Sequence, residues 1–486
     1  MEVFKGLKPE LIWTYFEEIC QVPRPSKKEE KIIQYLVDFG VKHGLQTKTD
    51  NCGNVLITKK ATKGFENKKT VVLQSHIDMV CEKNNDTIHD FDNDPIIPFV
   101  DGDWVKAKGT TLGADCGIGM AAELALLVSS DVDHPKLECL FTIDEETGLT
   151  GAFGLEPNFF EGKILLNLDS EDEGELFIGC AGGIDTTAVF TYKEKELPKK
   201  SKVYRLDIKG LSGGHSGDEI DKGLGNANKL VNRFLWEATN RFSIRLHKFE
   251  GGNLRNAIPR EAYAIFTVKH DLEAEMLALF NEYSSQIKNE YSVTEPNLLS
   301  QLSENEEVAF VVNKKLQRKL LNSIYACPHG VYAMSRTMPG LVETSTNLAA
   351  IKFIDDNKIM VTTSQRSSVG SAITDIANMV AATFIQAGAD VEHTDGYPGW
   401  QPNTDSEILR ITEESYIKLF GNKPVVRAIH AGLECGLFLE KYSDLDMISF
   451  GPTIKGAHSP DERLDIPTTV KFWDLLVDVL RNIPNN

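Results

Sequence analysis

The sequence predicts an α/β protein: a doubly wound, mostly parallel sheet in a domain built from both ends of the chain, with an inserted α+β domain between them. Two observations carry this. Short apolar runs, Val71-Val72-Leu73, Leu137 to Ile143 and Ile164 to Leu168, alternate with helical patterns, and the same alternation returns near the far end after a middle stretch of a different kind. Short, mostly apolar runs of this length suit strands covered on both faces.

In chain order, Ser26 with Glu29 three residues on reads as a capping box. Ile32, Ile33, Leu36 and Phe39 then recur at helical spacing up to Gly40 and Gly44, predicting an amphipathic helix. The three apolar runs end at Ser75-His76, at Asp144-Glu145-Glu146 and at Asp169. Chemistry is therefore expected at the C-terminal ends of strands, where doubly wound sheets place their ligands. Cys116 to Ser129 reads as a helix following a Gly-rich turn. From about Asp185 to Val391, strand patterns such as Val203 to Ile208, Ala262 to Val268 and Ile359 to Thr363 are paired with helices. Met447 to Phe450 is then a strand leading into the loop of His458, and Thr468 to Ile483 a closing helix. The expected division is 1–184 and 392–486 for the sheet domain, with 185–391 as the insert.

At 486 residues the chain exceeds one ordinary domain of about 150 residues. A formal charge of -19 would repel a phosphate backbone, so nucleic acid is not an expected partner. The eight cysteines form no C-x-x-C pair and read as reduced and mostly buried. The start, Met1-Glu2-Val3-Phe4-Lys5, lacks a signal-peptide pattern, and no run of about 18 apolar residues occurs. A cytoplasmic chain with no membrane partner is expected.

Any one of His76, Asp115, Glu145, Glu146 or Asp169 alone reads as a capping or surface group. Together with Asp78 they all follow strand ends or open a helix, and so should converge on one rim. Imidazoles with several carboxylates suit zinc or a similar divalent ion, and a bridging carboxylate allows two ions about 3.5–4 Å apart.

His76-Ile77-Asp78-Met79-Val80-Cys81-Glu82-Lys83, Leu112-Gly113-Ala114-Asp115, Asp144-Glu145-Glu146-Thr147-Gly148, Asn167-Leu168-Asp169 and Gly456-Ala457-His458-Ser459-Pro460 carry a family resemblance. The chain resembles the two-zinc metallopeptidases of the aminoacylase/carboxypeptidase type, and within them the aminoacyl-histidine (Xaa-His) dipeptidase branch. The resemblance spans nearly the whole chain; Ser75 stands where many relatives have Gly.

The resemblance implies two Zn2+ per chain, with Co2+ or Mn2+ as substitutes. Asp115 would bridge them, His76 and Asp169 would hold one, and Glu146 and His458 the other. Asp78 would orient His76 by accepting its free N–H. Glu145 would act as general base toward the water between the metals, the opposite assignment of Glu145 and Glu146 remaining open. The insert would be a lid, with His215 of Ser212-Gly213-Gly214-His215-Ser216-Gly217 stabilising the oxyanion. Arg366 and Asn256 match positions that hold a substrate carboxylate. Glu434, in His430-Ala431-Gly432-Leu433-Glu434-Cys435-Gly436, would bind the substrate amine or support the metal shell. The implied activity is hydrolysis of small peptides, Xaa-His dipeptides foremost, by a chain whose relatives are often homodimers. Two other readings stay open: an amidase acting on N-acyl amino acids, and a catalytically silent metal-binding protein. The presence of Glu145 beside every ligand disfavours the second.

Overall fold

A computed structural model describes residues 3–486. The chain packs as two units. The first comprises residues up to Gly179 with Pro402–Ala428 and Leu433–Asn486, and the second Cys180–Gln401 with Ile429–Gly432.

The first unit is organised by a sheet of strands in the order Gln46–Thr49, Val55–Lys59, Leu137–Thr142, Val71–His76, Ile164–Asn167, Asp446–Ser449, Glu175–Cys180 and Val425–Ile429. The four central strands, from Leu137–Thr142 to Asp446–Ser449, run parallel. The flanking pairings at Val55–Lys59 and at Phe177 are antiparallel. Every residue of Val71–His76 and Leu137–Thr142 is buried, the polar Gln74, Ser75, Glu138 and Thr142 included, as strands covered on both faces require. The helix Ala114–Val128 packs on Val71–His76 and on the helix Glu10–Cys20. Asp465 caps the helix Ile466–Asn482 by accepting the Thr468 N–H at 2.8 Å.

Parallel register lines the strand ends up. His76 pairs with Thr142, Gln74 with Asn167, and Ser449 with Asn167. A buried polar chain follows that row: Thr142 Oγ1 and Gln74 Nε2 donate to Glu434 Oε2 at 2.8 and 2.6 Å, and Asn167 Nδ2 donates to Gln74 Oε1 at 2.6 Å. Three strands of this row, Val71–His76, Leu137–Thr142 and Ile164–Asn167, lead directly into loops that carry carboxylates.

One local expectation fails. The helix Glu30–Lys42 forms, but its N-terminus has no side-chain cap. Ser26 Oγ donates instead to Asp78 Oδ2 at 2.7 Å, and Glu29 Oε1 accepts the Asp144 N–H at 3.1 Å. Ser26 is thus drawn to a buried carboxylate loop more than fifty residues on, while Glu29 Oε1 keeps a local bond from the Lys27 N–H at 2.8 Å beside the one from Asp144; an unsatisfied polar group in that loop costs more than an uncapped helix end.

The second unit is an antiparallel sheet in the order Leu299–Glu304, Ser201–Lys209, Ala262–Lys269, Arg245–Gly251, Val342–Ile354, Lys358–Ser367, Gly182–Thr191 and Asp390–His393. The helices Ala227–Phe242, Glu273–Glu290, Lys314–Ala326 and Gly370–Ala387 cover it, burying Phe190, Phe234, Phe249, Phe266 and Phe384. This is the expected α+β construction. Among the described residues no disulfide joins any of the eight cysteines, and no helix is long and apolar enough to cross a membrane.

Candidate active site and metal centre

The strand Val71–His76 delivers His76 at its end, 1% exposed, with both ring nitrogens aimed at carboxylates. Nδ1 lies 3.3 Å from Asp78 Oδ1, and Nε2 lies 3.0 Å from Asp115 Oδ1 and 3.3 Å from Asp169 Oδ1. On the other side, His458 Nε2 lies 3.2 Å from Asp115 Oδ2 and 3.1 Å from Glu146 Oε2. Asp115 thus turns one oxygen to each imidazole. Two groups capable of holding a cation lie about it: His76 with Asp169 on one side, and Asp115 itself with Glu146 and His458 on the other.

Asp78 is fully buried and does more than face His76. Its Oδ1 accepts the Glu145 N–H at 3.0 Å and its Oδ2 the Glu146 N–H at 3.2 Å. One carboxylate therefore faces the imidazole of one group and holds the turn that carries Glu145 and Glu146.

The electrostatics follow from crowding acids in a dry place. Burial alone would raise the Asp115 carboxyl, but hydrogen bonds from both imidazoles hold it well below its ordinary range. Burial pushes Asp169 up to about 6, against the pull of His76, and raises Glu145 well above its ordinary value, with the Asp169, Glu434 and Glu146 carboxylates adding to the effect. Hydrogen bonds to Asp115 and Glu146 push His458 up to about 11. Among the described residues no Lys or Arg pairs with Asp115, Glu145, Glu146 or Asp169, and Glu146 Oε1 is buried without a hydrogen-bond partner. Oxygen and nitrogen donors starved of positive charge fit a divalent cation of the zinc type.

His76, Asp78, Asp115, Glu145, Glu146, Asp169, Glu434 and His458 therefore come together in the first unit. Glu434 is 1% exposed; burial pushes its carboxyl up to about 8, and its Oε1 has no hydrogen-bond partner. Cys116 also lies within the His76–Asp169 group, but its thiol is buried and donates to the Leu168 carbonyl at 3.3 Å.

His215, Asn256 and Arg366 belong to the second unit. His215 pairs with Ala257 across the two-residue strands Gly214–His215 and Ala257–Ile258, which brings the exposed Asn256 alongside it. Arg366 is buried on the strand Lys358–Ser367 and donates to the Tyr397 hydroxyl at 3.2 Å, its Nε unpaired. Ser345 lies opposite Arg366 in the sheet, and its hydroxyl bonds His430 Nε2 at 2.7 Å. Sequence reasoning gave no role to Tyr397, Ser345 or His430. The recurrence of His430 in the same short motif as Glu434 was the available signal.

Burial, reinforced by Arg366, pushes His430 down to about 4. With an unfolded value of 6.5, the unfolded chain binds the extra proton between those values, so this group's contribution to stability is intact above pH 6.5 and lost as pH falls towards 4. A His430→Asn variant is expected to show a flatter fall of Tm over that window, the difference growing by at most about 1.4 kcal/mol per pH unit. Scanning calorimetry from pH 7 to 4 checks it.

Comparison with known proteins gives the class and then the family: the chain is a peptide-bond hydrolase. Residues 72–482 match Peptidase family M20/M25/M40, and the chain belongs to that family, as the motifs implied. It is 45% identical over 486 residues to the cytosol non-specific dipeptidase of Escherichia coli (strain K12), covering 100% of both chains. The crystal structure of aminoacylhistidine dipeptidase from Vibrio alginolyticus superposes with a TM-score of 0.93 at 47% identity, over 99% of this chain and 98% of that one. Aminopeptidase PepT from Bacillus cereus ATCC 10987 shares the fold, with a TM-score of 0.58 at 15% identity over 98% of this chain and 99% of that one.

Proposed function

We propose that the chain is a cytoplasmic dipeptidase working with a pair of zinc ions, and that Xaa-His dipeptides are among its preferred substrates. The observation that carries this is Asp115, whose two oxygens face two different imidazoles at 3.0 and 3.2 Å. The names of the two full-length relatives, one a cytosol non-specific dipeptidase and one an aminoacylhistidine dipeptidase, support the substrate class and the compartment.

His76, Asp115 and Asp169 would hold one ion, and Asp115, Glu146 and His458 the other. When bound, such ions polarise the scissile carbonyl and make water a stronger nucleophile. Glu145 takes a proton from the attacking water as the C–O bond forms and returns it to the leaving amine as the C–N bond breaks. His215 donates to the carbonyl oxygen as negative charge develops there. Arg366 and Asn256 receive the free carboxylate, and Glu434, through its unpaired Oε1, the free ammonium.

The test is a panel of Xaa-His dipeptides, other dipeptides and N-acetyl amino acids, given to the full chain before and after chelation. Turnover of dipeptides alone, lost on chelation and restored by Zn2+, is expected. Turnover confined to N-acetyl amino acids, or full activity after exhaustive chelation, would refute the reading.

A further inference from the structure

We propose that Arg24 and Glu462 are positioning residues that clamp the Asp115 loop from opposite sides and so set how tightly the cation pair is taken up; this rests on the two-metal reading above. Both side chains are charged and buried, 3% and 2% exposed. Their hydrogen bonds all go to backbone. A buried charge is tolerated only where dipoles replace its water, so the two mark where backbone groups have been aimed at them.

They meet on one loop. Glu462 Oε2 accepts the N–H of Leu112 at 2.7 Å and of Gly113 at 2.9 Å, while Oε1 accepts those of Ala114 at 2.8 Å and Asp115 at 3.4 Å. Arg24 donates to the carbonyl of that same Gly113, and to those of Ile77 at 3.0 Å and Asp78 at 2.5 Å. Arg24 therefore ties the Asp115 loop to the segment after His76. Glu462 ties it to His458, through a turn in which the Glu462 N–H donates to the Ser459 carbonyl at 3.0 Å with Pro460 between. Each imidazole that faces Asp115 is thus fixed to the Asp115 backbone by one buried charge.

Two glycines leave the room. Gly113 sits at φ +69°, and a Cβ there or at Gly117 would lie 2.6 or 2.7 Å from Arg24 Nη2. Arg24 also precedes the residues matched to the family, 72–482, so this half of the clamp is supplied by the N-terminal segment.

The test uses full-length, chelator-stripped protein, titrated with Co2+ followed by its visible spectrum and with Zn2+ followed by calorimetry. The variants are Glu462→Gln, which places an amide N–H against backbone N–H, Arg24→Lys, and Gly117→Ala. The last keeps both charges and places a methyl group on a helical backbone that accepts Ala. Each is expected to keep its far-UV circular dichroism, bind at least one ion about 10- to 100-fold more weakly, and show an altered Co2+ spectrum. Folded variants with the parent's affinities and spectrum, even at a lower Tm, would overturn the proposal and leave the two-metal reading standing. A parent that takes up no divalent ion would overturn that reading itself.

Discussion

Glu145→Gln is expected to lower kcat for a dipeptide by about a thousandfold, the middle of the range for a positioned general base, with the bound metal content unchanged. Gln keeps the shape and the backbone N–H that donates to Asp78 at 3.0 Å, so the turn should stay where it is. What is lost is the capacity to accept a proton. The ligand atoms that face His458 belong to Asp115 and Glu146, and those that face His76 to Asp115 and Asp169, so this change spares them. Steady-state kinetics beside elemental analysis checks both halves. Glu145 also lies close enough to His76 and Glu146 to hold an ion. If Glu145→Gln empties the site while Glu146→Gln keeps it full, the roles of the two are exchanged.

Asp115→Ala is expected to act more severely, leaving a protein that binds at most one ion. Removing the shared carboxylate takes a donor from both groups at once. With several kcal/mol of charge stabilisation at stake, activity should fall on the order of 10⁴-fold or more. A second readout is independent of turnover. Asp115 is the largest cause of the upward shift of His458 to about 11, so in stripped Asp115→Ala protein the His458 imidazole should titrate lower, which NMR can follow. An unchanged His458 titration together with two bound ions would remove Asp115 from the centre.

Much of the architecture was legible because each parallel strand is buried on both faces. Val71–Leu73, Leu137–Ile143 and Ile164–Leu168 could hardly be anything else, and a parallel sheet aligns its strand ends, so His76, Glu145, Glu146 and Asp169 were bound to lie near one another once the strands were drawn. The family resemblance added His458, which no local pattern connects to Asp115 across 343 residues. What stayed hidden are the groups that act through backbone. Arg24 drew no reading from the sequence, because its partners lie 53 to 89 residues away. Ser26 and Glu29 read as a capping box because nothing local reveals a competing carboxylate loop. Glu462 could have been suspected from its place one turn after His458, but a carboxylate that receives four consecutive amides has no sequence signature.

The interleaving of segments in the first unit bears on how the protein comes into being. A ribosome delivers His76, Asp115, Glu146 and Asp169 early, then must translate the entire second unit before His458 and Glu462 emerge. Until then the Asp115 loop lacks the Glu462 carboxylate that accepts its amides and the His458 imidazole that faces it, so a nascent chain holds only part of the proposed centre. On the proposed two-metal reading, hydrolytic competence is deferred to the last stages of synthesis, and a chain stalled before residue 458 is expected to be inert toward the peptides around it.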